Sequence, residues 1–198
     1  YVVAIDASPV AETSIPKITL DDVPDGRHVI TVEAVDRAGN VSDPVTHNVY
    51  VDTTAPAVSM TAPTSDRWIA GNYAFIASVI DAGDIEEVTM TIDSGAFRFV
   101  DHTAPYAFTY DTTQLAAGHH QITVAARDAF GHMTTDTFDF YVDNDQPTIN
   151  ITAPGSGQWV SGDFTLAASA ADDAGVAKVR FRIDGRWVAT DTAAPYTH

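Results

Sequence analysis

Carboxylates are the side chains with chemical capability that cluster in this sequence. Asp and Glu number 27 against 10 Lys and Arg, which gives a formal net charge of −17. Converging carboxylates repel one another unless a cation neutralises them, and Ca²⁺ takes about six to eight hard oxygen ligands with loose geometry. The surplus therefore predicts bound Ca²⁺ where several aspartates meet. The alternative is that these aspartates only form turns and keep the surface soluble.

Motifs for catalysis are absent from the sequence, which has no Gly-x-Ser-x-Gly, no phosphate-cradling glycine loop and no zincin helix. Glu86 and Glu87 could be imagined as a glycosidase pair, but adjacent strand residues point to opposite faces of a sheet. We therefore expect a chain that is not an enzyme. The negative charge also argues against nucleic acid as a partner, and no run approaches the ~20 apolar residues of a membrane span.

Two overlapping repeats organise the chain. Residues 56–106 and 147–196 match at an offset of about 91 positions, and the pattern G-x-H-x-I-x-V-x-A-x-D occurs at 26–36 and again at 118–128. A period of this length is one globular domain rather than a short solenoid unit. We expect a segment of a longer array. The predicted domains are the C-terminal part of one repeat at 1–52, a complete repeat at 53–143 and the N-terminal part of a third at 144–198.

The hydrophobic pattern predicts strands. Val88, Met90 and Ile92 alternate with Glu and Thr, helical signals are nearly absent, and Pro and Gly punctuate the runs. About seven short antiparallel strands in ~90 residues indicate an all-β, two-sheet sandwich. In immunoglobulin lettering the predicted strands are A near 57–61, B 73–80, C 86–93, C′ 96–101, E 106–110, F 119–127 and G 134–142.

Several segments resemble a known family, namely DGRHVITVEAVD (25–36), DRAGN (36–40), VDTTAP (51–56) and a long run from ITAPGSG to FRIDG (151–185). They are similar to the tandem bacterial Ig-like (Big) domains of large surface adhesins and of secreted polysaccharide-degrading enzymes. The resemblance implies tandem immunoglobulin-like sandwiches and an extracellular location. One departure is DAFGH (128–132), whose histidine stands where the first repeat has Asn, so we expect a less sharply specified loop.

The immunoglobulin topology predicts where the aspartates meet. The EF loop of one repeat should face the linker and the BC and FG loops of the next, so both junctions are predicted Ca²⁺ sites. VDNDQP (142–147) also resembles the calcium-stiffened linker of cadherins. Asp36 and Asp128 are further expected to cap their own loops. The predicted ligands are Asp52, Asp81 and Asp84 at the first junction, where Asp21, Asp22, Asp25 and Asp128 should also converge, and Asp111, Asp143, Asp145, Asp172 and Asp173 at the second.

Histidines and tryptophans offer weaker signals. The seven histidines show no spacing such as His-x3-His, so the sequence predicts no transition-metal site. His28 and His120 occupy equivalent repeat positions, which favours packing. Trp68 and Trp159 are also equivalent, and an aromatic fixed by a repeat favours a core or rim plug over a sugar-stacking platform. Burial of these two and of Trp187 would exclude that platform.

Three functions remain open from the sequence. The leading hypothesis is a structural stalk of a large extracellular bacterial surface protein, whose partners are the neighbouring repeats, because short linkers ending in Pro limit bending. The second hypothesis is an accessory, carbohydrate-contacting module of a secreted polysaccharide-degrading enzyme. The third is a self-associating filament subunit that exchanges strands between copies. The ligand of the parent protein and the number of repeats cannot be deduced from this sequence.

Overall fold

The structure, a computed structural model, describes residues 1–15, 17–95 and 97–198. They form two compact units. Unit 1 comprises Tyr1–Ser65, Ala74–Phe108 and Gln121–Phe138, and unit 2 comprises Asp66–Tyr73, Thr109–His120 and Asp139–His198. The repeat boundaries after residues 52 and 143 stay a prediction.

Strands dominate the described residues, and the helical structure found there is a single 3-10 turn at Thr112–Gln114. No helix in the described part of the chain has the length and apolar character needed to cross a membrane. The strands are β1 (Val2–Ile5), β2 (Ser8–Glu12), β3 (Gly26–Glu33), β4 (Val45–Val51), β5 (Ala57–Ala62), β6 (Arg67–Ile69), β7 (Asn72–Ile80), β8 (Ile85–Ile92), β9 (Phe97–Asp101), β10 (Tyr106–Asp111), β11 (Gly118–Asp128), β12 (Met133–Val142), β13 (Thr148–Ala153), β14 (Ala167–Ala171), β15 (Val179–Ile183), β16 (Arg186–Asp191) and β17 (Tyr196–Thr197).

The seven strands predicted for the complete repeat correspond to β5 and to β7–β12, with ends that agree within about two residues. Residue 96, the predicted first residue of strand C′, lies outside the described residues. The sequence did not predict β6, a three-residue strand that pairs in parallel with the end of β12. Its residues Arg67, Trp68 and Ile69 are too few to show an alternating pattern.

Neighbouring strands are antiparallel in the other pairs for which the register is defined. β3 pairs with β4 from Gly26 opposite Val51 to Val32 opposite Val45. The short loops and hairpins between successive strands favour this arrangement. The sheet orders are β2-β1-β3-β4, β10-β7-β5, β6-β12-β11-β8-β9, β13-β14-β17 and β15-β16.

The core of unit 1 shows two sheets packed face to face. Phe108 on β10 stacks on Phe75 of β7 at a ring-centroid distance of 5.1 Å. The same Phe108 ring lies 5.0 Å from Phe97 and 5.1 Å from Phe99, which belong to β9 of the other sheet. Alternate residues of β8 and β11 complete this interior and are fully buried. These are Val88, Met90, Ile92, Ile122, Val124 and Ala126.

Unit 2 contains its own buried clusters. Ile69, Phe140 and Val142 are buried on the paired strands β6 and β12, and Trp68 stacks on Tyr141 at 4.9 Å. A second cluster joins β14, β15 and β17 in the last repeat. It consists of Ala168, Val179, Phe181 and Tyr196, with Leu166, Ala170, Val176 and Ala189 packed against it.

Candidate metal centre

The loop between β11 and β12 is built around Asp128, whose side chain is fully buried. Its Oδ1 accepts hydrogen bonds from the backbone N–H groups of Phe130 at 2.8 Å and His132 at 2.9 Å. Its Oδ2 accepts one from Nδ1 of His132 at 2.7 Å. Burial alone would raise the pKa of the Asp128 carboxyl, but these hydrogen bonds outweigh it and lower the pKa. Asp128 is therefore an ionised carboxylate in a buried position.

The equivalent loop of the first repeat has the same bonding. Asp36 accepts from the N–H groups of Ala38 and Asn40 at 2.8 Å each, and from the Asn40 side chain at 2.7 Å. The predicted capping of both loops is confirmed. The expectation that histidine loosens the second loop is wrong, because the left-handed conformation is taken by Gly39 (φ 92°) and Gly131 (φ 95°). His132 replaces Asn40 as a hydrogen-bond donor rather than as a turn former.

The first linker places another carboxylate against this loop. Asp52 is 9 % exposed, and its Oδ1 accepts hydrogen bonds from the backbone and hydroxyl of Thr54, each at 3.2 Å. Its Oδ2 is buried and has no hydrogen-bond partner among the described residues. The linker continues at Thr53, whose N–H and hydroxyl donate to Asp25 Oδ1 at 2.9 and 2.7 Å. Gly83 lies so close to Asp52 Oδ2 that a Cβ there would overlap it.

Asp81, which follows β7, supplies the third carboxylate. Its Oδ2 is buried and, like that of Asp52, lacks a hydrogen-bond partner within the described part of the chain. Burial raises the pKa of Asp81, and the negative charges of Asp52 and Asp128 raise it further. The hydrogen bond to Asp128 raises the pKa of His132, and all three carboxylates favour its protonated form. Four ionisable groups therefore interact at one place in unit 1.

The tightest part of this group includes the histidine. One carboxylate oxygen each of Asp52 and Asp128 and one ring nitrogen of His132 lie within 4.8 Å of one another. Of the predicted ligands, Asp52 and Asp81 belong here, whereas the exposed Asp84 lines the neighbouring groove. Asp25 holds Thr53, and the exposed Asp21 and Asp22 line a different cleft, beside β2 and β3.

The second junction contains a carboxylate pair in unit 2. The carboxyl groups of Asp143 and Asp172 are close enough to interact. Burial raises the pKa of Asp172, and the neighbouring carboxyl groups of Asp143 and Asp173 raise it further. The N–H of Asp145 donates to Asp143 Oδ1 at 2.9 Å. Two neighbouring carboxylates repel each other, and a cation bound between them would relieve this repulsion.

Asp111 and Asn144 have structural roles beside this pair. Asp111 caps the 3-10 turn by accepting hydrogen bonds from Thr113, and these lower its pKa. Asn144 accepts from Gly71 N–H at 2.9 Å and from the Thr112 hydroxyl at 3.2 Å, and its Nδ2 donates to the Thr112 carbonyl at 3.0 Å. The second linker is therefore bonded to the turn and to the start of β7.

Comparison with known proteins identifies the chain. A family profile described as bacterial Ig domain matches residues 56–124 and 147–198, more than half of the chain. The chain belongs to this family. The resemblance noted in the sequence is thus confirmed. No curated protein matches the chain.

Solved structures resemble this bacterial Ig domain chain. The fibronectin(III)-like modules of Clostridium thermocellum CbhA match with 25 % identity and a TM-score of 0.50, over 72 % of this chain and 77 % of theirs. A tetra-tandem repeat in the extending region of a large adhesion protein matches with 19 % identity and a TM-score of 0.41, over 93 % of this chain and 50 % of that one. The endo-β-1,4-mannanase from Thermotoga petrophila matches with 20 % identity and a TM-score of 0.41, over 48 % and 21 %.

The aromatic residues of these bacterial Ig repeats are not equivalent in environment. Trp68 is 38 % exposed and stacks on Tyr141, which suits a rim position, whereas Trp159 is 98 % exposed. The expectation of a packed role is therefore wrong for Trp159. Trp187 is 58 % exposed, and the guanidinium groups of Arg180 and Arg182 lie 4.5 and 5.2 Å from its ring centroid. Exposure of all three tryptophans leaves a sugar-stacking platform available.

The repeated histidines are packed, as expected. The sequence analysis did not predict that a third histidine, His132, lies beside the carboxylates. His28 and His120 are buried, and both bond a backbone carbonyl four residues earlier, at 2.7 and 2.8 Å. The sequence pattern indicates only a turn residue at His132. Its spacing of four residues from Asp128, across a glycine that turns the chain back, is the signal that could have placed the imidazole beside the carboxylates.

Proposed function

We propose that the chain is a non-catalytic structural spacer of a larger extracellular bacterial surface protein. The observation that carries this proposal is that each linker is hydrogen-bonded to the repeat that precedes it. Thr53 donates twice to Asp25 of the first repeat, and Asn144 makes three hydrogen bonds to Gly71 and Thr112. A linker held in this way loses conformational entropy on folding and then resists bending. The membership in a family of extracellular-type modules supports the location.

The spacer proposal is tested by the width of an interlabel distance distribution. The chain has no cysteine, so spin labels can be attached at the exposed positions Thr46 and Ser59, on either side of the first linker. Replacing residues 52–56 with a Gly-Ser segment of equal length removes the bonds to Asp25. We expect a narrow distribution in the native chain and a clearly broader one in the variant.

A matched control changes chain flexibility away from the linker. Thr64 and Ser65 are exposed and lie in the turn between β5 and β6, and replacing both with Gly should leave the distribution unchanged. Equal widths in the native chain and the linker variant would refute a stiff junction, and with it the spacer function.

Calcium at the junctions is part of this proposal. A cation bound between the neighbouring carboxyl groups of Asp143 and Asp172 would relieve their repulsion, and Asp145 and Asp173 lie within two residues of them in the chain. We expect Ca²⁺ to raise the melting temperature of the native chain and to have a smaller effect on an Asp172→Asn variant. Identical melting temperatures in EDTA and in Ca²⁺ would show that calcium has no part in the spacer function.

A second function is favoured by the exposed aromatics. Trp187, whose ring is 58 % exposed beside the guanidinium groups of Arg180 and Arg182, and the 98 % exposed Trp159 offer aromatic surface on which a sugar ring can stack. An accessory module of a secreted polysaccharide-degrading enzyme would then contact glycan through the last repeat. Affinity electrophoresis in gels containing soluble polysaccharides tests this proposal, because Trp187→Ala should abolish any retardation that Trp68→Ala preserves. Self-association stays a prediction, which the mass measured by light scattering checks.

A further inference from the structure

Two buried carboxylate oxygens in unit 1 accept no hydrogen bond from the residues that the structure describes. Oδ2 of Asp52 and Oδ2 of Asp81 have no partner among the described residues, and the Asp52 side chain is more than nine-tenths buried. A buried carboxylate oxygen loses its hydration, and this loss is unfavourable unless a new partner replaces the water. Such groups are rare in native proteins, and a bound ion is one of the arrangements that accounts for them.

The same oxygens face a negatively charged neighbourhood. Asp128 is fully buried, and one of its carboxylate oxygens lies within 4.8 Å of an oxygen of Asp52. Among the described residues, no Lys or Arg forms an ion pair with Asp52, Asp81 or Asp128. The group therefore retains a negative charge that a divalent cation would match.

The donor set indicates which cation fits. Oxygens of Asp52 and Asp128 and a nitrogen of His132 lie within 4.8 Å of one another. Ligands of one tetrahedral Zn²⁺ at about 2.0–2.2 Å lie ~3.3–3.6 Å apart, so side-chain shifts of about 1 Å would close this group around an ion. Imidazole suits Zn²⁺ and its first-row neighbours, whereas Ca²⁺ prefers oxygen ligands alone.

We propose that Asp52, Asp81, Asp128 and His132 bind a divalent transition-metal cation, with Zn²⁺ as its probe, and that the imidazole selects this class of ion over Ca²⁺. A groove of about 620 Å³, lined by Asp52, Gly83 and Phe130 among others, gives the ion access from solvent. The inference refines the role of cations at the first junction, and in that respect it rests on the proposed spacer function. Linker, BC loop and FG loop would be cross-linked by one ion.

The first repeat supplies the conservative test variant. Asn40 makes the same backbone and side-chain bonds to Asp36 that His132 makes to Asp128. His132→Asn should therefore keep the loop folded while removing the nitrogen ligand. Asp81→Asn removes one carboxylate charge without changing the size of the side chain.

A second imidazole–carboxylate pair provides the matched control. His119 Nε2 and Asp139 Oδ1 lie 2.7 Å apart, as close as His132 and Asp128, but in an exposed position of unit 2. Among the described residues, a further carboxylate completes a group of three possible ligands at His132, and no such group forms around His119. His119→Asn should leave Zn²⁺ binding by the cluster intact.

The experiment is a calorimetric titration of the untagged chain with ZnCl2, and separately with CaCl2. We expect one high-affinity Zn²⁺ per native chain, unchanged affinity in His119→Asn, and affinity at least about tenfold lower in both His132→Asn and Asp81→Asn. Ca²⁺ affinity should fall in Asp81→Asn and stay the same in His132→Asn. Absorption bands of a Co²⁺-loaded chain report nitrogen ligation directly and should change in His132→Asn.

Equal Zn²⁺ affinity in the native chain and His132→Asn would overturn the proposal, as would a loss caused by His119→Asn. Tight binding of Ca²⁺ alone would also overturn it, while leaving a calcium-stiffened spacer intact. The distance distribution across the first linker separates the two ideas. A narrow distribution without Zn²⁺ binding retains the spacer and rejects the metal site.

Discussion

Asn144 offers the sharpest test of how the second linker is held. Replacing it with Ala removes three hydrogen bonds, two to Thr112 and one to Gly71. Each bond contributes about 0.5–1.5 kcal/mol net. The Thr112 hydroxyl still donates to the Gly71 carbonyl, and the Thr112 carbonyl still accepts from Leu115. We therefore expect a loss of about 1–3 kcal/mol in the free energy of unfolding. This is less than the cost of leaving all three partner groups without a hydrogen bond, because those of Thr112 keep other partners.

The assay is urea unfolding followed by tryptophan fluorescence, because Trp68 stacks on Tyr141 in the same unit. Asn150→Ala is the control, since Asn150 is an exposed residue of β13. A loss below about 0.5 kcal/mol for Asn144→Ala would show that these three hydrogen bonds do not hold the linker.

Three further predictions concern single sites. Gly83→Ala should displace the Asp52 carboxylate and lower the free energy of unfolding by about 1–3 kcal/mol through overpacking. Its control is Gly155→Ala, where an added Cβ makes only an ordinary van der Waals contact and should leave stability nearly unchanged in the same urea assay. The hydrogen bond to Asp6 raises the pKa of His28. The stabilisation by this bond is therefore full below about pH 6.5 and is lost as the pH rises through the raised pKa of His28 in the folded chain. We expect His28→Gln to lower the melting temperature more at about pH 5 than at about pH 9. Phe75→Ala should cost about 3–5 kcal/mol, because its ring is fully buried, and a loss under about 1 kcal/mol would contradict the assigned core.

The strands are predictable because burial of one sheet face makes every second residue of a strand hydrophobic. Val88, Met90 and Ile92 are all fully buried, and the intervening residues are not. The same reasoning fails for Trp159, which the repeat equates with Trp68. Trp68 lies on β6 and is held by pairing with β12, and the described residues of the last repeat contain no equivalent strand pair. A repeated residue type predicts a repeated position, and its burial depends on what lies opposite.

The candidate site is predictable in its location and not in its composition. Topology alone brings the linker and two loops together, which is why the sequence predicts that Asp52 and Asp81 converge. The direction of each side chain depends on local hydrogen bonds that the sequence does not display. Asp84, three residues after Asp81, remains exposed, and His132 joins the cluster through its bond to Asp128.

The two FG loops, at residues 36–40 and 128–132, show how a turn motif can become part of a candidate metal site. Asp36 and Asp128 hold their loops with matching hydrogen bonds at matching distances, so this bonding is required by the turn and carries no information about ligands. Asp36 is exposed and Asp128 is fully buried. The difference lies in the residues that surround the second loop, where Asp52 leaves a buried oxygen without a partner among the described residues. A cation at this position would stabilise an arrangement that turn formation alone does not need, which is why substitution at His132, and not at Asn40, should change metal binding.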